Sequence, residues 1–156
     1  MKDNRATPFR RNLFGVIIMA TTLQEVQRAK QIAIDELFDN LGVFFAFSNQ
    51  QFEESKTPLA EGDKYVQFAN GSFVPKSNYE KLKNGFDAAK ATMREQINAN
   101  DLGEAEVLAE LENQEAFYTG SIESTMEALG DDYSREFVKS VYFKNQNKYD
   151  DQGWFN

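Results

Sequence analysis

The chain contains no cysteine and no histidine. Without cysteine there is no disulfide framework, no thiol nucleophile and no thiolate metal site. Without histidine there is no imidazole general base, no Ser-His-Asp triad and no histidine-ligated zinc. Acid–base chemistry would have to use Asp, Glu, Lys or Tyr, and no motif marks such a site. The sequence also lacks a phosphate-cradling glycine motif and a nucleophile elbow. No catalytic residue, metal site or cofactor is therefore read from it. Proline occurs only three times, and no internal repeat or low-complexity tract interrupts the chain. Apolar runs are short. Phe14 to Met19 spans six residues, whereas a membrane-crossing helix needs roughly 20. What is present suits a folded domain: 156 residues, 41% hydrophobic, with 14 phenylalanines, enough for a core.

Residues 1–18 differ from the rest. They carry Lys2, Arg5, Arg10 and Arg11 against one acid, Asp3. Gly15-Val16 can be encoded GGA-GTN, which contains the bacterial ribosome-binding sequence GGAG, ahead of an ordinary-looking start at Met19-Ala20-Thr21-Thr22. The expectation is a translated leader, with 19–156 as a single working domain. A basic arm that binds a partner is the alternative. A prokaryotic or bacterial-virus source and a cytoplasmic location follow from the leader reading.

Local signals place most elements. Thr22-Leu23-Gln24-Glu25 fits a capping box, and Leu23, Val26, Ala29, Ala33, Leu37 and Leu41 continue at helical spacing to the Gly42 stop. Val43 to Ser48 is apolar on both faces of an extended chain, which predicts a central strand. Residues 49–63 form a polar connection with one helical turn around Phe52. Strand-like runs at 64–69 and 72–75 flank Asn70-Gly71, the preferred pair for a type I′ hairpin. That register sets Phe68 opposite Phe73 and Val66 opposite Pro75. Ser77-Asn78-Tyr79-Glu80 reads as a second capping box. Its helix carries Tyr79, Leu82, Phe86, Ala89, Met93 and Ile97. Shorter helices are expected at about 104–114, from Ser121 to Leu129, and at about 133–146, with a further strand at 116–118. The fold class is α+β: a small, mostly antiparallel sheet packed against about five helices.

Charge is distributed unevenly. Between Arg94 and Arg135 there are 11 acids and no base, against a net charge of −8 for the whole chain. Glu106 and Glu110 are i,i+4 neighbours, as are Glu123 and Glu127, a spacing that costs a few tenths of a kcal/mol per like-charged pair. Three readings stay open. One is a solvated face that keeps the protein soluble. Another is an acidic docking face for a basic protein surface, formed by Glu104, Glu106, Glu110, Glu112, Glu123, Glu127, Asp131 and Asp132. Its sharpest form is nucleic-acid mimicry. Carboxylates one helical turn apart are about 6 Å apart along the axis, while duplex DNA carries a charge every ~1.7 Å, so a mimic needs two helices side by side. The third reading is a carboxylate site for Mg²⁺ or Ca²⁺ in a nuclease or phosphohydrolase, although no EF-hand loop sets its geometry.

Phe44, Phe45, Phe47, Phe52, Tyr65, Phe68, Phe73 and Tyr79 are concentrated between residues 44 and 79. The main reading is a core beneath the helices. The alternative is a stacking surface for single-stranded bases, with nearby lysines. The net negative charge argues against direct nucleic-acid binding. Trp154-Phe155 close the chain either as a core anchor or as an exposed partner anchor.

The runs Phe44-Phe45-Ala46-Phe47-Ser48-Asn49-Gln50-Gln51-Phe52, Gly62-Asp63-Lys64-Tyr65-Val66 through Phe73-Val74-Pro75-Lys76, and Glu115-Ala116-Phe117-Tyr118-Thr119-Gly120 resemble a family of small, acidic, uncharacterised proteins of bacteriophages and mobile elements. The resemblance covers about residues 22–145. It brings no activity and no catalytic residue. It implies a setting in which small acidic proteins bind and inhibit host proteins, including defence nucleases. The resulting expectation is a non-catalytic acidic binding protein that engages a basic host surface and no membrane.

Overall fold

A computed structural model describes residues 22–150. The leader or basic arm at 1–18 and Trp154-Phe155 lie outside the described residues. Seven α-helices and three strands follow in the order α1 (Leu23–Leu41), β1 (Phe44–Phe45), α2 (Asn49–Ser55), β2 (Tyr65–Ala69), β3 (Ser72–Pro75), α3 (Tyr79–Ala99), α4 (Gly103–Asn113), α5 (Ala116–Thr119), α6 (Glu123–Leu129) and α7 (Arg135–Asp150). The α+β class holds. The two helices beyond the expected five, α2 and α5, are short. The sequence reading treats 19–156 as one domain; internal contacts group the chain into two compact units, 1–96 and 97–156.

In the first unit, α1 starts as its sequence dictates. The Thr22 hydroxyl accepts the Glu25 N–H at 3.1 Å, and the Glu25 carboxylate accepts the Thr22 N–H at 3.0 Å. This reciprocal pair satisfies two orphan donors of the first turn. Gly42 ends α1 at φ +74°, donating its N–H to Phe38 O.

The sheet is antiparallel with β3 in the centre, in the order β1-β3-β2. The expected central strand at 43–48 is corrected: β1 has two residues and lies at an edge, pairing Phe44 with Phe73 and Phe45 with Ser72. A helix cap truncates it. Ser48 takes extended angles, and its hydroxyl accepts the Gln51 N–H at 3.1 Å. The Gln51 carboxamide oxygen accepts the Phe47 N–H at 2.7 Å. A Ser-x-x-Gln helix start therefore overrides the apolar run before it.

The hairpin exists, but its turn is not type I′. That turn needs positive φ at both central residues. Gly71 has φ +76°, whereas Asp101 and Glu115 are the only described non-glycine residues with positive φ, so Asn70 does not supply it. The register shifts accordingly. Val66 faces Val74 and Gln67 faces Phe73, with a bulge between Gln67 and Ala69. The pairs expected from a two-residue turn, Phe68–Phe73 and Val66–Pro75, are not formed.

Aromatic rings cover both faces of this sheet. Phe38 of α1 packs against Phe45, Phe68 and Phe86 at centroid separations of 5.8, 6.1 and 5.9 Å. On the other face, Phe52 of α2 packs against Phe44, Tyr65 and Phe73 at 5.4, 5.8 and 4.9 Å. Tilted and edge-on ring pairs of this kind add about 0.5–1.5 kcal/mol beyond area burial. The second capping box is also corrected. The Ser77 hydroxyl donates to Asp63 at 2.6 Å, and a 3₁₀ turn at Lys76–Asn78 precedes α3. Asp63 is the better acceptor because it takes the Ser77 hydroxyl together with the N–H groups of Ser77 and Lys64.

The second unit is helical with a largely aliphatic core. Val107, Leu111, Ala116 and Val138 are fully buried, joined by Ile122, Leu129, Val141 and the stacked pair Phe117–Tyr142. The expected strand at 116–118 is a helical turn instead. Glu115 at φ +55° reverses the chain after α4. Ala116 and Phe117 then bury on a helical turn, with Phe117 flat against Tyr142 of α7 at 5.0 Å.

Candidate functional site

The acidic window falls on α4, α6 and the 3₁₀ turn Gly130–Asp132. Its pattern follows helix periodicity. In α4, Val107 and Leu111 point inward, while Glu104, Glu106, Glu110 and Glu112 occupy the remaining turns. Glu104 and Glu106 lie in the first turn of α4 and Glu123 in that of α6. There the partial positive charge of the unpaired N–H groups favours them.

The eight predicted partner-binding residues all fall in the second unit. Four of them have the following partners there. Arg135 grips Glu123 with two parallel hydrogen bonds of 2.7 and 2.9 Å, and Lys144 reaches Glu104 at 2.7 Å. The Tyr133 hydroxyl donates to Glu106 at 2.6 Å, partly buried. Glu110 accepts from the carboxamides of Asn113 and Gln114 at 3.1 and 2.8 Å. Six of the eight, Glu104, Glu112, Glu123, Glu127, Asp131 and Asp132, are exposed, and Glu106 and Glu110 are half-buried. Cations from outside the window thus relieve it in a way that its sequence, read alone, does not show. Arg135 holds the Glu123 carboxyl below the usual carboxylate range, first through its hydrogen bonds and then through its charge.

Among the described residues no group of three or more acidic side chains could hold a metal ion; the carboxylates spread over a surface rather than converge. Among the same residues no helix is long and apolar enough to cross a membrane.

The model of DUF7659, a family of unknown function, matches residues 24–147. The chain belongs to that family. The matched span includes the sheet and all eight predicted carboxylates, close to the 22–145 of the sequence resemblance. No curated protein matches the chain, and no solved structure does.

The sequence reading does not find one feature of the first unit. Phe47 lies within an apolar run yet is 72% exposed, next to Phe45 at 52%. Asn49, Gln67 and Asn70 share a surface hollow with Phe47. The usable signals are the Ser48–Gln51 cap, which ends the strand before Phe47 can be buried, and the outward register of Gln67.

Proposed function

We propose that the chain is a non-catalytic acidic binding protein of phage or mobile-element origin, acting in the cytoplasm, whose acidic unit engages a basic surface of a host protein. The reading rests on one observation: six of the eight predicted carboxylates, Glu104, Glu112, Glu123, Glu127, Asp131 and Asp132, are exposed. They lie in a segment, 97–156, that carries 13 acids and four bases. Such a field steers a basic partner and raises its association rate, an effect that salt screens. In its strongest form the partner is a nucleic-acid-handling or defence protein whose nucleic-acid site is blocked. Two carboxylate rows are then needed, and α4 and α6 pack together to supply them.

The test is capture from bacterial lysate at low and high salt with the full chain as bait, repeated with Glu112→Lys, Glu127→Lys and Asp131→Lys combined. These positions spare the carboxylates that bond Arg135, Lys144 and Tyr133. The expected outcome is a basic nucleic-acid-binding protein held at low salt, released at high salt and lost to the variant at unchanged melting temperature. Retention of that protein by a folded triple variant would sink the reading.

A further inference from the structure

The hollow beside Phe47 has a chemistry distinct from the acidic surface. It is lined by the Phe47, Phe52 and Phe73 rings together with Asn49, Gln67 and Asn70, and it is open to solvent, with a volume of about 610 Å³. That lies within the ~300–1,000 Å³ typical of small-ligand sites. No lysine, arginine, aspartate or glutamate lines it.

Phe47 is held in place despite its exposure. Its N–H is bound by the Gln51 carboxamide at 2.7 Å, and the Ala46 N–H donates to Gly71 O at 2.8 Å. The ring lies so close over Gly71 that a Cβ there would collide with it. One side of the ring is therefore seated on backbone while most of its surface remains in water. Gln67 stands opposite Phe73 in the β2–β3 register, Asn49 opens α2, and Asn70 is on the turn. Within the described residues none of these three carboxamides makes a hydrogen bond, whereas Gln50, Gln51, Asn78 and Gln114 are all engaged.

A positioned aromatic face beside unengaged carboxamides matches one ligand chemistry closely. A carboxamide donates to N7 and accepts from the N6 amino group of adenine as a bidentate pair, while an aromatic ring stacks on the face of any base. We propose that this hollow binds a purine base of the adenine type, with Phe47 as the stacking face and the Asn49, Gln67 and Asn70 carboxamides reading its edge. The uncharged lining makes the base, not phosphate, the recognised group. The net charge of −8 opposes a polyanionic strand, so a free nucleoside or nucleotide is the expected source.

Calorimetric titration of the full chain with adenosine, AMP, inosine and a short oligo(dA), together with amide NMR shifts, tests this. Adenosine and AMP should bind with similar affinity, inosine roughly tenfold more weakly, and shifts should centre on residues 46–49 and 67–71. Phe47→Ala should weaken adenosine binding about tenfold or more, while Phe47→Tyr retains it. Gln67→Ala, a change at an exposed position that leaves the ring in place, should reduce the preference for adenosine over inosine. Tighter, salt-sensitive binding of oligo(dA) would identify a strand as the source of the same base. Absence of shifts with all four probes would overturn the proposal, as would shifts that Phe47→Ala and Gln67→Ala both leave unchanged.

Discussion

The two units of this chain solve the same packing problem with different residues. Between 22 and 96, a three-stranded sheet presents rings on both faces, and eight of its aromatics meet in the Phe38 and Phe52 clusters. Charge there is nearly balanced, with 11 acids and nine bases. Between 97 and 156 the core is mainly Val, Leu and Ile on helices, and acids outnumber bases 13 to four. A pleated surface places alternate residues on each face and lets rings meet across strands. A helix gives up only one stripe to the core and leaves more than half its positions to water. The helical unit therefore carries a one-signed surface, at the cost of like-charge neighbours that a few cations and helix N-termini must offset. The lesson is that the sheet unit is specified by ring geometry, and the helical unit by the aliphatic stripes its helices turn to the core.

The largest expected effects probe the two cores. Leu111→Ala removes a fully buried side chain from α4 and should cost about 2–5 kcal/mol. Amide exchange should show the loss of protection concentrated in α4 to α7. An equal loss across the sheet would break the comparison.

Gly71→Ala addresses the sheet unit. The left-handed φ of +76° and the collision an added Cβ would make with the Phe47 ring together predict a loss of roughly 1–3 kcal/mol by thermal or urea denaturation. A neutral result would mean that the ring is not seated on the turn.

Thr125→Val tests the helical core from the other side. Thr125 is fully buried, and among the described residues its hydroxyl has no hydrogen-bond partner. Replacing it with an isosteric methyl should leave stability unchanged or raise it by up to about 1 kcal/mol. A clear loss of stability would reveal a hydrogen bond to this hydroxyl.

The smallest effect is a pH dependence shared by both units. The Ser77 hydroxyl, first among several hydrogen bonds, holds the Asp63 carboxyl below its ordinary value of 3.8, as Arg135 does for Glu123. Each folded pKa lies below its unfolded one. The stabilisation is thus fully present above pH about 5 and fades as pH falls through the unfolded and then the folded values. Denaturation midpoints measured from pH 6 down to 2 should fall, and Asp63→Asn should flatten the curve. An unaltered slope in that variant would remove Asp63 from the account.

Most helices were legible in the sequence because their causes are local. Thr22 and Glu25 cap α1 within four residues, Gly42 stops it, and the spacing of Val107, Leu108 and Leu111 sets the buried side of α4. The second capping box misled because Asp63, 14 residues away, competes for Ser77. The 116–118 segment misled because burial against Tyr142 outweighs its aromatic strand preference. For the acidic site, the chain positions of all eight carboxylates were legible, but not which of them Arg135, Lys144 and Tyr133 would engage.

By itself, then, the sequence determined the start and stop of α1, the approximate spans of the other long helices, the presence of a hairpin, the charge asymmetry and the absence of thiol and imidazole chemistry. These depend on composition or on hydrogen bonds spanning a few residues. Only the tertiary structure decided that β3 is central, that β1 shrinks to an edge, that Phe47 stays in water on top of Gly71, and which carboxylates remain exposed. Those outcomes depend on which distant groups meet, because strand order, ring seating and ion pairing are settled between competing partners far apart in the chain.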